Sequence, residues 1–365
     1  MKLLIIHLSD MHFENTSQVS HVRINKIIDA IDTVDIDECI ITISGDLAGK
    51  GKKTDYEHVR GFIEELIQEL NKNNFKNKKI SVLAVPGNHD IDFSLLNNPN
   101  IRDIIKAYED NTIDELKMRY INSMENYFSF VTKYGLFTDD RVISKKIIEY
   151  GDKKVGFVLC NTAPLSLLDG HSEDMGNHYL SNLELQKIED ATEADINILV
   201  LHHSIEWLKS DYKEELRKSI VNKYSLVLSG HEHSSIGQSN CIDNSEVVQF
   251  VQGNALHGYT NDGNGFCTIT IDLDDFLLEV TSYIWKDSLY IPKKIIDSNI
   301  KSNSYRDIEL SSDFYNQIIY DSYGKIDDHY VFPGVTYNIL DEKVNMQRID
   351  IDDEHELFNF LNNRQ

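Results

Sequence analysis

Cysteine is scarce in this sequence and shows no pairing pattern. The 365 residues include four cysteines and no C-x-x-C pair; the four are Cys39, Cys160, Cys241 and Cys267. Three of them lie in or beside apolar runs typical of strands. This count and spacing argue against a disulfide framework and predict reduced, mostly buried thiols.

Long hydrophobic runs are also missing. No apolar stretch approaches the roughly 18 residues that a membrane helix needs. The apolar run at residues 3–6 is too short for a signal peptide and is followed by no cleavage site. These absences predict a cytoplasmic protein that does not interact with membranes.

Positive charge is in short supply. The 36 lysines and arginines face 60 aspartates and glutamates, which gives a formal net charge of -24. Such a chain repels polyphosphates at long range, whereas nucleic-acid binders usually carry a basic patch. Metal-binding carboxylates would account for only a few of these charges. Lys50, Lys52 and Lys53 lie close together after Asp46, and one hypothesis is that they attract a phosphate-rich substrate.

The composition is that of a soluble globular protein, with 41% hydrophobic and 26% charged residues. The length allows one large domain with an appendage, or two domains. Residues 1 to about 90 alternate apolar strands with amphipathic helical patterns in the order βαβαβ. This order predicts a parallel sheet with right-handed crossovers, whose ligands bind at the carboxyl ends of the strands.

Later segments follow other patterns. Residues from about 92 to 140 predict a helical insertion, with one amphipathic helix over 113–131 and Gly135 as its stop. From Val142 onward the pattern is mostly β, which predicts a second sheet facing the first. Residues 286–365 contain tyrosines, acidic patches and short apolar runs. They predict a C-terminal extension or small accessory subdomain of unknown role, through which a protein partner or a second copy would dock.

Five apolar runs end in short polar side chains. They are followed by Asp10-Met11-His12, Gly45-Asp46, Gly87-Asn88-His89-Asp90, His202-His203 and Gly230-His231-Glu232-His233. A lone aspartate at a strand end is usually a turn residue, and a lone histidine is more often an ordinary surface or core residue. Seven such positions at five strand ends are more than a chance distribution of these residues would give. Carboxylate, amide and imidazole groups gathered at one sheet edge suit a two-metal hydrolase, in which a carboxylate bridges cations about 3.5–4 Å apart.

These five motifs, in this order, resemble those of the calcineurin-like metallophosphoesterases. The resemblance covers roughly residues 1–285 and implies a single α/β domain there. The implied fold is a four-layer α/β/β/α sandwich of two mixed sheets flanked by helices, here with the helical insertion at about 92–140 and the extension at 286–365.

The resemblance also implies roles for individual residues. The metal ligands would be Asp10, His12 and His233 for the first ion, Asn88, His202 and His231 for the second, and Asp46 as the bridge. His89 would stabilise charge on the scissile phosphate or protonate the leaving oxygen, and Asp90 would hold the His89 imidazole. His202 is preferred to His203 because the family's ligand directly follows the strand. Ser204 stands where many relatives have proline.

The expected function is hydrolysis of phosphodiester, or else phosphomonoester, bonds of nucleotides or nucleic-acid ends. In the family this proceeds by in-line attack of a metal-bridging hydroxide. The cofactors would be two divalent or trivalent metal ions, with manganese favoured over iron, zinc, nickel and cobalt. The alternatives are a DNA exo- or endonuclease of the repair type and a non-catalytic scaffold with the same fold.

Overall fold

The computed structural model describes most of the chain. The described residues are 1–14, 21–31, 33, 35–73, 75, 80–97, 99–168, 173–233, 236–242, 246–257, 264–302, 335–340 and 346–351. They fall into two compact units, Met1–Tyr305 and Arg306–Gln365.

The first unit alternates strands and helices before it becomes mostly β. Its strands are β1 (Lys2–Leu8), β2 (Glu38–Ser44), β3 (Ser81–Val85), β4 (Ile143–Tyr150), β5 (Lys153–Cys160), β6 (Ile196–Val200), β7 (Leu226–Ser229), β8 (Ile236–Ile242), β9 (Glu246–Gln252), β10 (Gly265–Asp272), β11 (Leu277–Lys286) and β12 (Leu289–Asn299). Its helices are α1 (His21–Ala30), α2 (Lys53–Asn73), α3 (Ile101–Glu109), α4 (Ile113–Asn122), α5 (Glu125–Val131), α6 (Asn182–Glu189) and α7 (Ser210–Lys223).

These strands form two mixed sheets of six strands each. The first has the order β12-β11-β10-β1-β2-β3, and the second has the order β4-β5-β6-β7-β9-β8. The strands β1, β2 and β3 are parallel to one another, as are β5, β6, β7 and β9. The α/β fold with two sheets and flanking helices is therefore confirmed.

The parallel strands are mostly apolar because both of their faces are covered. Six of the seven residues of β1 and of β2 are buried, and all five residues of β6 are buried. Near-continuous apolar runs of this kind are typical of parallel sheets with helices packed on them. They fix the strands rigidly, and so they fix the positions of the loops at their carboxyl ends.

The helical insertion is present but is divided differently from the prediction. The single helix expected over 113–131 is two helices, because the chain turns at Ser123 and Met124. The N–H of Ser123 donates to the carbonyls of both Arg119 and Tyr120, and Met124 donates to Ile121. Gly135 ends the segment in a left-handed conformation with φ of +71°, as expected of a helix stop.

Two strands of this first unit were not predicted from the sequence. Strand β8 pairs with β9, and β12 pairs along its length with β11. In β12 few residues are buried, so it lacks the apolar signal of the interior strands. Because β12 extends the first sheet, the compact unit continues to Tyr305, beyond the sequence-based boundary at 285.

In the second unit the structure describes one antiparallel hairpin, formed by β13 (Val335–Leu340) and β14 (Met346–Ile351). Among the described residues of the whole chain, no helix combines the length and hydrophobicity that crossing a bilayer requires.

Candidate metal centre

The predicted site residues converge from both sheets. Three of the contributing loops follow β1, β2 and β3 of the first sheet, and two follow β6 and β7 of the second. The loops after β1, β2 and β3 carry Asp10 and His12, then Asp46, then Asn88 and His89. The loop after β6 carries His202, and the loop after β7 carries His231 and His233. All seven predicted ligand positions, together with His89, lie in one cluster.

The backbone at this cluster is unusual. Five of the predicted ligands have left-handed φ angles that non-glycine residues rarely adopt; they are Asp10 (+52°), His12 (+48°), Asp46 (+53°), His231 (+73°) and His233 (+54°). Such strained conformations persist only where the surroundings enforce them, and they concentrate at functional sites.

One group of ligand atoms surrounds the Asp10 carboxylate. Its Oδ1 is 3.2 Å from His233 Nε2 and 3.9 Å from His12 Nε2, and the two imidazole nitrogens are 3.4 Å apart. Asp10 Oδ2 accepts hydrogen bonds from Ser9 Oγ and from the N–H of His231. Asp10 Oδ1, by contrast, is buried and has no partner with hydrogen-bond geometry.

A second group forms around His202, which is fully buried. Its Nε2 lies 3.3 Å from Asn88 Oδ1 and 3.3 Å from Asp46 Oδ2. Its Nδ1 donates to the Ser44 carbonyl at 2.7 Å, which leaves the Nε2 lone pair available as a ligand in the neutral ring. His231 completes the group, with its ring centroid 5.1 Å from that of His202.

Asp46 belongs to both groups. Its Oδ2 is 3.3 Å from His202 Nε2 and 3.9 Å from His12 Nε2, whereas its Oδ1 accepts the N–H of His89 at 2.8 Å. The position between two sets of imidazoles is the one that a bridging carboxylate requires.

Two glycines permit this close approach. A Cβ on Gly87 would lie 2.6 Å from the backbone nitrogen of Asp46 and would overlap the Asp46 carboxylate. Gly45 has a φ of +102°, and a Cβ there would collide with the ring of His202. A larger residue at either position would displace the Asp46 carboxylate or the His202 ring, so both positions require glycine.

The buried carboxylates are held in the charged form. Burial alone would raise the pKa of Asp10, but the adjacent His233 imidazole and the charge of His202 lower it to about 2. Burial also opposes ionisation of Asp46, yet His202 and His89 bring the pKa of Asp46 well below its usual value. The cluster therefore presents two buried negative charges.

The pKa values of the imidazoles depend on whether burial or the nearby carboxylates have the larger effect. Burial lowers the pKa values of His12 and His231 to about 4, so both rings are neutral at physiological pH. Burial also disfavours charge on His202, but Asp46 and Asp10 outweigh it and raise the pKa of His202 to about 9. The adjacent Asp10 carboxylate raises the pKa of His233. A cation would replace the protons that the carboxylates attract to these two rings.

The orientation of His89 differs from the prediction. Its Nδ1 lies 3.0 Å from the carbonyl oxygen of Gly49, to which it donates. The expectation that Asp90 holds this ring is wrong, because Asp90 accepts other hydrogen bonds, from the N–H groups of Leu47, Ala48 and Gly87 and from Tyr56 Oη. Burial and the nearby Asp46 raise the pKa of Asp90 to about 6. Asp90 therefore joins the loops after β2 and β3.

Other contributors could not have been found from the pattern. The carbonyl groups of Ser44 and Gly49 orient His202 and His89, and backbone carbonyls leave no mark in a sequence. Trp207 packs edge-on against His231 with centroids 4.3 Å apart, and its Nε1 donates to Glu232 Oε1 at 2.9 Å. The rarity of tryptophan, with only two in the chain, was the one signal in the sequence that could have drawn attention to Trp207.

The arrangement fits metal ions. Within the described residues, four sets of three side chains place ligand atoms within 4.8 Å of one another: Asp10, His12 and His233; His12, Asp46 and His89; Asp10, Asp46 and His202; and His202, His203 and His231. The buried, unpartnered Asp10 Oδ1 would otherwise be costly. Carboxylate, amide and imidazole donors without thiolate suit divalent metals of the first transition series.

Comparison with known proteins identifies the family. The family model described as calcineurin-like phosphoesterase matches residues 3–235. The chain belongs to the calcineurin-like phosphoesterase family. This membership agrees with the five loops whose polar side chains converge at the carboxyl ends of the strands.

Individual relatives are distant. The metallophosphoesterase-like protein YydB of Bacillus subtilis is 26% identical over 300 residues, which are 78% of this chain and 60% of YydB. The chain thus spans about 60% of the length of that curated relative. Among solved structures, Vps29 of Entamoeba histolytica has a TM-score of 0.35 at 12% identity, covering 81% of this chain and 99% of that chain. A predicted phosphoesterase of Streptococcus pneumoniae has a TM-score of 0.27 at 13% identity, covering 80% and 98%.

Proposed function

We propose that this calcineurin-like phosphoesterase hydrolyses phosphodiester bonds of nucleotides or other small diesters at a dinuclear metal centre. The observation that carries the proposal is the position of Asp46, which lies between two separate groups of nitrogen and oxygen ligands. Two adjacent cation sites with one shared carboxylate would stabilise both the attacking and the leaving oxygen of an in-line displacement at phosphorus.

The predicted ligands would be divided between the two metal ions. Asp10, His12 and His233 would hold one ion, Asn88, His202 and His231 the other, and Asp46 both. When bound, such a pair of cations supplies a strongly acidified water and neutralises charge on the phosphate. The hydrogen bonds from Ser9 to Asp10 and from His202 to the Ser44 carbonyl would fix the ligand orientations in advance.

His89 is the proposed acid. Because its Nδ1 donates to the Gly49 carbonyl, only Nε2 is free to face a substrate. Its ring centroid is 4.5 Å from that of His12, which puts it beside the first ion site. In the protonated ring, the Nε2–H would stabilise the phosphate oxygens and pass its proton to the leaving oxygen.

Small substrates are favoured over nucleic acid by the acidic charge of the chain and by the ion pairs of two lysines. The net charge is -24, and two lysines after Asp46 are already paired. Lys50 Nζ lies 3.2 Å from Glu14, and Lys52 Nζ lies 2.5 Å from Asp92. These pairs weaken the hypothesis that this loop attracts polyphosphate. A repair-type nuclease remains the second candidate because it would use the same ligand set.

The experiment is hydrolysis of bis-p-nitrophenyl phosphate with Mn²⁺, compared between the wild type, Asp46→Asn and His89→Gln. His89→Gln should retain its metal and lose about 10²–10⁴-fold in kcat, since it removes only the acid. Asp46→Asn should lose affinity for both ions. A wild type without activity on any phosphodiester or monoester would contradict the proposal and favour a scaffold, and loss of both ions in His89→Gln would contradict the role of His89.

A further inference from the structure

A further buried imidazole lies beside the second group of ligands. His203 follows His202 directly and is 2% exposed. Its ring centroid is 4.7 Å from that of His202, 4.5 Å from that of His231 and 4.3 Å from that of His178. It therefore lies among the imidazoles that would bind the second ion, although the ligand set carried over from the family leaves it without a role.

The hydrogen bonds of His203 leave one nitrogen unexplained. Its backbone N–H donates to Thr162 Oγ1 at 3.0 Å, and its Nδ1 lies 3.2 Å from the same hydroxyl. Its Nε2 is buried and has no hydrogen-bond partner. Buried polar atoms without partners are uncommon and destabilising, so the position of Nε2 is best explained by a bound group that it contacts.

We propose that His203 binds the second cation through Nε2, beside His202 and His231. The inference rests on the proposed function, because it concerns the same metal centre. Ligand atoms of these three histidines lie within 4.8 Å of one another, close enough to share one ion. In the tautomer whose Nδ1–H donates to Thr162 Oγ1, Nε2 carries the lone pair, which is the usual arrangement for histidine ligands.

This assignment makes the two ion sites chemically unequal. The first would have two imidazoles, from His12 and His233, with the carboxylates of Asp10 and Asp46. The second would have three imidazoles, with the Asn88 amide oxygen and the Asp46 carboxylate. An imidazole-rich site favours zinc, nickel, cobalt or iron, whereas a carboxylate-rich site tolerates manganese. The second site should therefore prefer zinc or cobalt over manganese more strongly than the first.

His178 provides a matched control from the same cluster. It is also buried and packs against His203, and its Nε2 likewise has no hydrogen-bond partner, although it faces Asp174 Oδ2 at 3.4 Å. Its Nδ1 donates to the Thr162 carbonyl at 2.9 Å, and among the described residues it belongs to none of the sets of side chains that could share an ion. If His203 only fills space, replacing either ring should disturb the second site to a similar degree. If His203 is a ligand, its replacement should matter far more.

The experiment measures metal binding and not turnover. Co²⁺ is titrated by calorimetry and visible absorption into the metal-free wild type, His203→Gln, His178→Gln and Thr162→Val. We expect two ions in the wild type, about 10- to 100-fold weaker binding of the second ion in His203→Gln with a changed Co²⁺ spectrum, and little change in His178→Gln. Thr162→Val should show an intermediate loss because it removes the hydroxyl that orients Nδ1.

The outcomes separate this inference from the proposed function. Failure of the wild type to bind any ion would contradict the proposed function itself. Wild-type affinity for both ions in His203→Gln, or an equal loss in His178→Gln, would overturn the ligand role alone. If His203→Gln does not fold, a crystal structure of the zinc-loaded wild type decides. A distance of about 2.0–2.1 Å from Nε2 to the second ion supports the ligand role, and one beyond hydrogen-bond range overturns it.

Discussion

At the scale of single residues, Gly87 provides a test of how tightly the centre is packed. Gly87→Ala adds one methyl group that would overlap the Asp46 carboxylate and crowd its backbone nitrogen at 2.6 Å. We expect the variant to bind divalent ions at least about tenfold more weakly, since displacing a shared ligand impairs both sites. Equilibrium dialysis with Mn²⁺ measures this.

The chain offers a matched control for that change. A Cβ on Gly61, within α2, would meet nothing within 4 Å, so Gly61→Ala should leave metal binding unaltered. It should also stabilise the fold by about 0.5–1 kcal/mol, because alanine is the better helix former. Equal metal affinity in the two variants would show that the space around Asp46 is not limiting.

His7 predicts how stability depends on pH. It is fully buried within β1, its Nε2 is 2.8 Å from Ser44 Oγ, and burial lowers its pKa to about 4 from an unfolded value near 6.5. As the pH falls from about 6.5 to 4, the unfolded chain takes up this proton first. The free energy of unfolding should therefore fall over this interval, by up to about 3 kcal/mol from His7 alone, and this stability is fully present above pH 6.5.

The measurement is urea unfolding in EDTA at several pH values across that interval. His7→Leu should show a shallower decline than the wild type, although His12 and His231 continue to contribute. An unchanged slope in His7→Leu would mean that His7 is not held neutral in the fold.

The residues of the candidate site were predictable from the sequence where the type of side chain indicates metal binding. The seven predicted ligand positions and His89 come shortly after apolar strands, and the structure brings them together. The partner of Asp90 was not predictable, because Asp90 follows His89 in sequence but its carboxylate turns back to the N–H groups of Leu47, Ala48 and Gly87. Adjacent residues in a 3₁₀ turn point in different directions, which a linear pattern does not reveal.

At the scale of elements, the loops after β2 and β3 are held together by one carboxylate. Asp90→Asn replaces one acceptor oxygen by an NH₂ group that would face N–H and hydroxyl donors. We expect a loss of about 1–3 kcal/mol in the free energy of unfolding, with weaker metal binding through displacement of Asp46. Tyr56→Phe removes only the 2.7 Å hydrogen bond from Oη and should lose about 1 kcal/mol. Denaturant titration compares the two, and a stability of Asp90→Asn equal to or above that of Tyr56→Phe would contradict this role.

Elements buried on both faces were the easiest to predict. The strands β1, β2, β3 and β6 are mostly apolar, and the hairpin of β4 and β5 is marked by its Gly151-Asp152 turn. The edge strands β8 and β12 were missed because hydrogen bonding to a single neighbour requires no apolar run. The break between α4 and α5 was missed because Ser123 and Met124 are ordinary helix residues, and tertiary packing decides there.

At the scale of the whole molecule, the negative charge predicts the sign of a salt effect. Repulsion between the chain and a polyanionic substrate weakens as salt screens it. For an oligonucleotide we therefore expect kcat/KM to rise about two- to threefold between about 0.02 M and 0.2 M NaCl, with little change for bis-p-nitrophenyl phosphate. A steep fall with salt, the usual behaviour of proteins that bind nucleic acid through basic contacts, would contradict this and favour the nuclease.

The most direct test of the central claim is an anomalous-diffraction map of a crystal of this protein soaked in Mn²⁺. The account predicts two metal peaks about 3.5–4 Å apart, with the Asp46 carboxylate between them. One peak should contact Asp10, His12 and His233, and the other should contact Asn88, His202 and His231. No peak at these side chains, or a single ion that leaves Asp46 unshared, would contradict the dinuclear centre.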